Sequence, residues 1–324
     1  MSKPTLAVTI GDPCGVGPEI LARAVATGQP QRLARLAFIG SAEAMRRGVA
    51  VAGADLAVQT VASVDAVQDD PRVISILDDG ELDPAEIVYG QERAACGAAV
   101  GRWIGQAQAL ATAGQVGGLV MGPINSEAMA AAGALGALMN AKPGERLLTL
   151  FSGPLRITHI FDHVYLRDVC AGLTADLVAR SIRLTHDTLS GWGVKNPRIG
   201  VAGLNPHAHG PEEDAAITPG VARARADGID VTGPISPDTV FRHCIDGRYD
   251  VVVAMCHDQG HIALKTWGFE GNCGGFIGMP YLFMTVGHGT AFDIAGKGIA
   301  SHAMILAALN QCAQFAAGKG FLAA

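Results

Sequence analysis

Residues 250–265 read DVVVAMCHDQGHIALK. An unbroken apolar run meets a cysteine, two histidines, an aspartate and a lysine. Two foldings compete for this stretch. In one, histidines four apart share a helix face, as in the zinc-protease motif. In the other, a buried strand ends here and delivers polar groups to a site. The zinc-helix motif HExxH needs a glutamate after the first histidine and a helix that puts both histidines on one side. Asp258 stands in place of that glutamate, and Gly260 precedes His261. Glycine disfavours a helix interior, and VVVAM is β-rich. The stretch therefore reads as a strand end and the loop after it.

Similar runs recur on both sides of it. They are TLAVTI (5–10), RLAFIG (35–40), GGLVMG (117–122), RITHIF (156–161) and RIGVAG (198–203). Most are continuously apolar rather than alternating, which favours strands buried on both faces in a parallel sheet. Helical patterns lie between them. PEILARAVATG (18–28) opens with proline and stops at glycine, QERAACGAAVGRWIGQAQALATAG (91–114) is long and alanine-rich, and 168–190 and 290–316 are helical in period. Strand and helix in alternation predict an α/β fold. Ligands of such folds gather beyond the carboxyl ends of the strands. Here those ends read GDPCGVGPE, MGPINSE, FDHVYLRD, GLNPHAHGPEED and CHDQGHIALK, all polar or rich in glycine and proline.

The composition sets limits. The chain has 324 residues and is 49% hydrophobic, enough for about two domains with a sizeable core. Net charge is −6, and no long basic run occurs, so neither nucleic acid nor an anionic membrane is expected as a partner. The seven cysteines, at 14, 96, 170, 244, 256, 273 and 312, form no CxxC pair. An odd, scattered set fits reduced thiols in a cytoplasm. The N-terminus lacks a signal-type apolar segment, and no apolar run reaches membrane-spanning length.

Three histidines each follow a β-rich run: His163, His207 and His257. Imidazole is a favoured ligand for zinc and similar divalent ions, and three such ligands leave a coordination position for substrate. His209 and His261 are alternative ligands or partners of the ligands. Asp258 and Asp238 suit either hydrogen bonding to a ligand imidazole or acid–base work. GDPCGVGPE (11–19) has neither the P-loop nor the GxGxxG spacing. It reads either as a tight strand-to-helix turn or as part of a substrate site. GHGTAFDIAGKGIA (287–300) is glycine-rich enough to let backbone approach a ligand, and its Asp293 suits ribose hydroxyls.

That last segment resembles the nicotinamide-cofactor loop of the isopropylmalate and isocitrate dehydrogenases. NAD-using members carry HG[ST]APDIAGKGIA, and this chain has HGTAFDIAGKGIA. TIGDPCGVGPEI, MGPIN, GLNPHA, GPISPDTVF, AMCHDQG and VGHGTA are similar, in order, to one branch of that superfamily, the 4-hydroxythreonine-4-phosphate dehydrogenases. The resemblance implies two α/β/α domains with the active site in the cleft between them. It implies an NAD-binding domain of 1–125 plus 275–324, and a substrate, metal and dimerisation domain of 126–274. It implies NAD held by His288, Gly289, Thr290, Asp293 and Ile294, and a divalent metal (zinc, or magnesium, manganese or cobalt) on His163, His207 and His257. It further implies a homodimer with the active site at its interface, and Lys265 as a substrate contact. Asp258, Lys265 and Asp238 are the catalytic candidates.

The departures bear on substrate. The family's GHTE motif is missing, and ALMNAKPG places Met139 and Asn140 there. Counting from Lys265 without gaps, the family's substrate-binding Asn falls on Gly274 and its phosphate-binding Arg on Phe283. A phosphate needs such donors. HDQGHI and VGHGTAFDIAGKG are similar instead to the terephthalate dihydrodiol dehydrogenases. The expected substrate is therefore a non-phosphorylated cis-dihydrodiol carboxylate, oxidised with NAD and decarboxylated, with Met139, Asn140, Phe283 and His261 as contacts. The alternatives are a 4-hydroxythreonine-4-phosphate dehydrogenase of pyridoxal phosphate biosynthesis, or a threonate or erythronate phosphate dehydrogenase. A metal-dependent hydrolase is the reading from another class, and it would leave 287–300 without a purpose.

Overall fold

The computed structural model describes residues 3–134 and 144–322. Met139 and Asn140 lie outside the described residues. The strands, in chain order, are β1 Thr5–Thr9, β2 Arg35–Ile39, β3 Ala57–Thr60, β4 Val73–Leu77, β5 Gly118–Met121, β6 Leu147–Ser152, β7 Leu155–Phe161, β8 Ile199–Ala202, β9 Val231–Ile235, β10 Val251–Cys256, β11 Cys273–Ile277 and β12 Phe283–Thr285. Each of the six apolar runs forms one of them. The chain divides into two compact units, Met1–Asn140 with Pro280–Ala317, and Ala141–Met279 with Gly318–Ala324.

In the first unit the strands run β3-β4-β2-β1-β5-β12, and each pairing is parallel. β1, β5 and most of β2 and β4 are buried along their length, which is why they read as unbroken apolar runs. Helices Gly17–Ala26, Ala42–Ala52, Ala94–Thr112 and Ala303–Ala316 accompany them. Ser41 caps Ala42–Ala52 by accepting from the Ala44 N–H at 3.3 Å, and Gly53 ends it with a left-handed φ of 61°. The helical period over 290–316 overreaches. Residues 296 and 298 are glycines with φ of 76° and 69°, and the helix begins only at Ala303.

The second unit has a mixed sheet, β11-β6-β7-β10-β8-β9. β7, β10, β8 and β9 are parallel neighbours, whereas β6 runs antiparallel to both β7 and β11. One apolar cluster packs β7, β8 and β10 with helix Ala175–Gly191, and a second packs their other side. The helical pattern over 168–190 is broken in two, Leu166–Gly172 and Ala175–Gly191. Thr174 starts the second helix by accepting from the Leu177 N–H at 3.2 Å.

The deciding stretch departs from its reading. β10 ends at Cys256, and residues His257–Trp267 are a helix, not a loop. Gly260 is tolerated for a packing reason. A Cβ there would lie 2.0 Å from Nε2 of the fully buried His159. Close approach to β7 outweighs glycine's modest helix penalty of about 1 kcal/mol.

Candidate metal site and cofactor loop

The helix that begins at His257 puts His257, His261 and Lys265 at four-residue intervals, hence on one face. The imidazoles of His257 and His261 stack, with centroids 3.6 Å apart and planes within 17°. His261 Nδ1–H donates to the His257 carbonyl at 3.2 Å. Burial, with the charges of His257 and of Lys265 added, lowers the His261 pKa to about 4. Beneath them His159 donates from Nδ1 to the Leu148 carbonyl at 2.9 Å, and burial lowers its pKa to about 3, so it is neutral.

On the other side of His257 the β7 strand delivers Asp162 and His163. The rings of His163 and His257 lie 5.0 Å apart, and donor atoms of Asp162, His163 and His257 all fall within 4.8 Å of one another. His257 Nδ1–H donates to Asp258 at 2.8 Å, which leaves Nε2 with a free lone pair. Asp162 Oδ1 lies 2.9 Å from His163 Nδ1, yet among the described residues this buried oxygen has no hydrogen-bond partner. A buried carboxylate oxygen without a hydrogen bond is costly unless positive charge, from a protonated imidazole or a bound cation, balances it. The donor set fits a divalent ion. The cluster borders a cleft of about 1010 Å3 whose rim carries exposed Tyr165, Leu166 and Ile262.

Of the three expected ligands, two come together within the chain. His207 does not join that group. It is exposed, on the LNPHA turn, with φ of 59°, and Ala208 follows at 54°. Two consecutive non-glycine residues in the left-handed region are strained. Buried Glu213 holds the turn, accepting from the Leu204 and Asn205 N–H groups at 2.7 and 2.8 Å and from the Asn205 amide at 2.7 Å. Burial opposes ionisation of Glu213, but these donors outweigh it and lower its pKa.

Asp258 and Asp238 are both held below the usual carboxylate range, Asp258 by His257 and Asp238 by the hydroxyls of Ser236 and Thr239 at 2.7 and 2.9 Å. These contacts let Asp258 orient the His257 ring and let Asp238 pin its own turn. Phe283 requires a correction. It is 1% exposed inside β12, so its ring fills the core and presents nothing to a substrate. Lys265 is exposed near His261. Three participants escape the sequence reading. Asp162 is hidden as the residue before a more conspicuous histidine, and His159 as a mid-strand residue. Gln259 clamps two strand ends, accepting from the Met255 N–H at 3.0 Å and donating to the Gly203 carbonyl at 2.9 Å.

In the first unit, GDPCGVGPE is the tight strand-to-helix turn, and it carries the 287–300 loop. Val16 N–H donates to the Thr290 carbonyl at 3.0 Å, and a Cβ on Gly15 would meet that carbonyl oxygen at 2.8 Å. Buried Glu19 accepts from the Ala300 N–H at 3.0 Å, and Arg23 donates to the Gly298 carbonyl. His288 donates to the Gly289 carbonyl at 2.7 Å, Gly289 has open space around it, and Ile294 is half-buried. Asp293 stands exposed on this fixed backbone. An exposed carboxylate among residues that let a ligand come close fits a dinucleotide ribose.

Comparison with known proteins places the chain in a family. Residues 32–312 match the family model described as "Pyridoxal phosphate biosynthetic protein PdxA". The chain belongs to the PdxA family. This PdxA-family chain is 45% identical, over 98% of its length and 97% of the relative's, to a Novosphingobium aromaticivorans protein provisionally named a 4-hydroxythreonine-4-phosphate dehydrogenase. It is 35% identical, over 97% of each, to the D-threonate 4-phosphate dehydrogenase of Cupriavidus necator. Among solved structures, the 4-hydroxythreonine-4-phosphate dehydrogenase of Burkholderia phymatum is similar at TM-score 0.86 and 33% identity, covering 97% of this chain and 99% of that one. The terephthalate 1,2-cis-dihydrodiol dehydrogenase of Burkholderia xenovorans LB400 is similar at TM-score 0.70 and 32% identity, covering 96% and 98%. The PdxA-family relatives named here are dehydrogenases.

Proposed function

We propose that this chain is an NAD-dependent, divalent-metal-dependent dehydrogenase that oxidises the hydroxyl of a small hydroxy acid. The observation that carries the reading is the buried Asp162 Oδ1, without a hydrogen-bond partner among the described residues and grouped with donor atoms of His163 and His257. These three residues would hold the cation, which when bound lowers the pKa of a coordinated hydroxyl. Asp258 keeps His257 in the tautomer with Nε2 bare. Lys265, on the same helix face, offers positive charge to a substrate carboxylate and can return a proton. NAD supplies the hydride acceptor. Asp293 would accept from its ribose hydroxyls, on a loop held by Glu19 and Arg23. A hydroxyl β to a carboxylate becomes a β-keto acid on oxidation, so loss of CO2 belongs to the proposal.

On substrate, the relatives' names favour the alternative over the first expectation. These relatives are named, several of them provisionally, for 4-hydroxythreonine 4-phosphate or D-threonate 4-phosphate, so a phosphorylated four-carbon hydroxy acid becomes the leading substrate class. The dihydrodiol carboxylate stays as a second reading for one reason. Phe283 is buried and Gly274 lacks a side chain, so neither position offers a side-chain donor to a phosphate. A homodimer is part of the proposal. His207 stands on a strained turn facing solvent, and Tyr165, Leu166 and Ile262 are 73%, 63% and 67% exposed beside the cluster, a surface suited to cover by a second copy.

The test is NADH formation with added divalent metal, comparing 4-hydroxythreonine 4-phosphate, D-threonate 4-phosphate and an aromatic cis-dihydrodiol carboxylate. Turnover of a phosphorylated acid is expected. Turnover of the dihydrodiol alone would install the second reading. No NADH from any of the three, in protein that binds metal, would defeat the dehydrogenase assignment.

A further inference from the structure

We propose that Asp12, Cys14 and Cys96 form a second cation site, within the first unit, built for a thiophilic divalent ion of the zinc class. Cys14 lies in the turn after β1, and Cys96 in the first turn of helix Ala94–Thr112. Their sulfurs are 3.5 Å apart, and a carboxylate oxygen of Asp12 lies within 4.8 Å of both. The Glu86 carbonyl oxygen is 3.6 Å from each sulfur. Two sulfurs, a carboxylate and a carbonyl thus cluster within a few ångströms of one another. Tetrahedral zinc with Zn–S bonds of about 2.3 Å separates two thiolates by about 3.8 Å, so the sulfurs need move only a few tenths of an ångström. A disulfide, at about 2.0 Å, would require them to close by roughly 1.5 Å.

The residues are sealed, with Asp12 1% exposed and both cysteines 0%. The Cys14 N–H donates to Asp12 Oδ1 at 2.8 Å and aims the carboxylate. Binding exchanges protons for the ion: two thiols and M2+ give two metal thiolates and two H+, with no oxidation. Two thiolates and a carboxylate carry a charge that an M2+ ion largely cancels, which makes their common burial tolerable. Because the site is closed, the ion enters as the chain folds and leaves slowly. His163, by contrast, is exposed, so an ion on the histidine cluster exchanges readily. The same turn presents Val16 to Thr290. The buried ion would therefore brace the support of the 287–300 loop rather than touch substrate.

The test uses full-length protein carrying His163→Ala and His257→Ala, produced in zinc-supplemented medium and dialysed against EDTA. We expect about one zinc per chain to remain. Protein produced with cobalt should show thiolate-to-cobalt charge transfer in the near ultraviolet. Adding Cys14→Ala and Cys96→Ala should remove both signals. Asp12→Asn, nearly isosteric, guards against a folding failure and should release the ion to chelator about tenfold faster or more. No retained zinc in the histidine-less chain would overturn the proposal. So would retention unaffected by the cysteine and aspartate changes, or recovery of Cys14 and Cys96 as a disulfide.

Discussion

At the scale of single residues, the site is defined by which nitrogen carries each proton. The Asp258 carboxylate accepts from Nδ1 of His257, and the backbone carbonyl of His257 accepts from Nδ1 of His261. Both rings are thereby held with Nε2 bare. An outer partner of this kind is worth about 10–100-fold in metal affinity. We predict a loss of that size for Asp258→Asn, measured by titration with zinc or cobalt. If Asp258 were instead the base, the variant would bind metal normally and lose turnover alone. The sequence leaves this choice open, because adjacency of His257 and Asp258 shows neither side-chain direction nor exposure. The expectation that ligand histidines follow strands picks out His163 and His257 but hides Asp162, whose buried Oδ1 has no hydrogen-bond partner among the described residues.

At the scale of elements, Gly260 reads in sequence as a helix breaker and proves to be the residue that lets a helix lie against β7. We predict that Gly260→Ala destabilises the protein by about 1–3 kcal/mol, the usual cost of overpacking. In a Gly260→Ala/His159→Ala double variant the two costs should be less than additive, read by denaturant unfolding. Strict additivity would mean that His159 is not what fills the space between helix and strand. The LNPHA turn gives a pH prediction. Glu213 has its pKa lowered by folding, so its contribution is complete above the ordinary glutamate value of about 4.3 and is lost as pH falls through the lowered value. Wild type should therefore exceed Glu213→Gln in Tm at pH 7, and the gap should narrow in acid. A gap independent of pH would remove the charge from the account. Buried strands such as β1 and β10 are legible because both faces are apolar. β3 and the parallel strand β9 are not, being largely exposed or half-buried, and β6 and β11 escape notice where the second sheet mixes directions.

At the scale of the whole molecule, the α/β alternation can be read from the chain, whereas a first domain completed by a returning segment is what the family resemblance implies. The compact units divide at 140/141 and 279/280, where the resemblance implies 125/126 and 274/275. His207 is the residue that points beyond one chain. If a second copy supplies it, His207→Ala and His257→Ala proteins will each be inactive. Mixed dimers formed by co-expression should recover about a quarter of wild-type activity, because half the dimers are hybrid and each holds one intact site. No recovery would place all ligands in one chain. The returning segment has a consequence for synthesis. β12 adds to β5, and Thr285 bonds back to Met121 across 164 residues. At about 5–20 residues per second, the ribosome needs roughly 8–33 seconds to supply that last strand. Through that interval one edge of β5, apolar and unpaired, is exposed on the nascent chain. Slowed elongation between these positions should lower the yield of soluble protein, and a chaperone that shields strand edges should restore it.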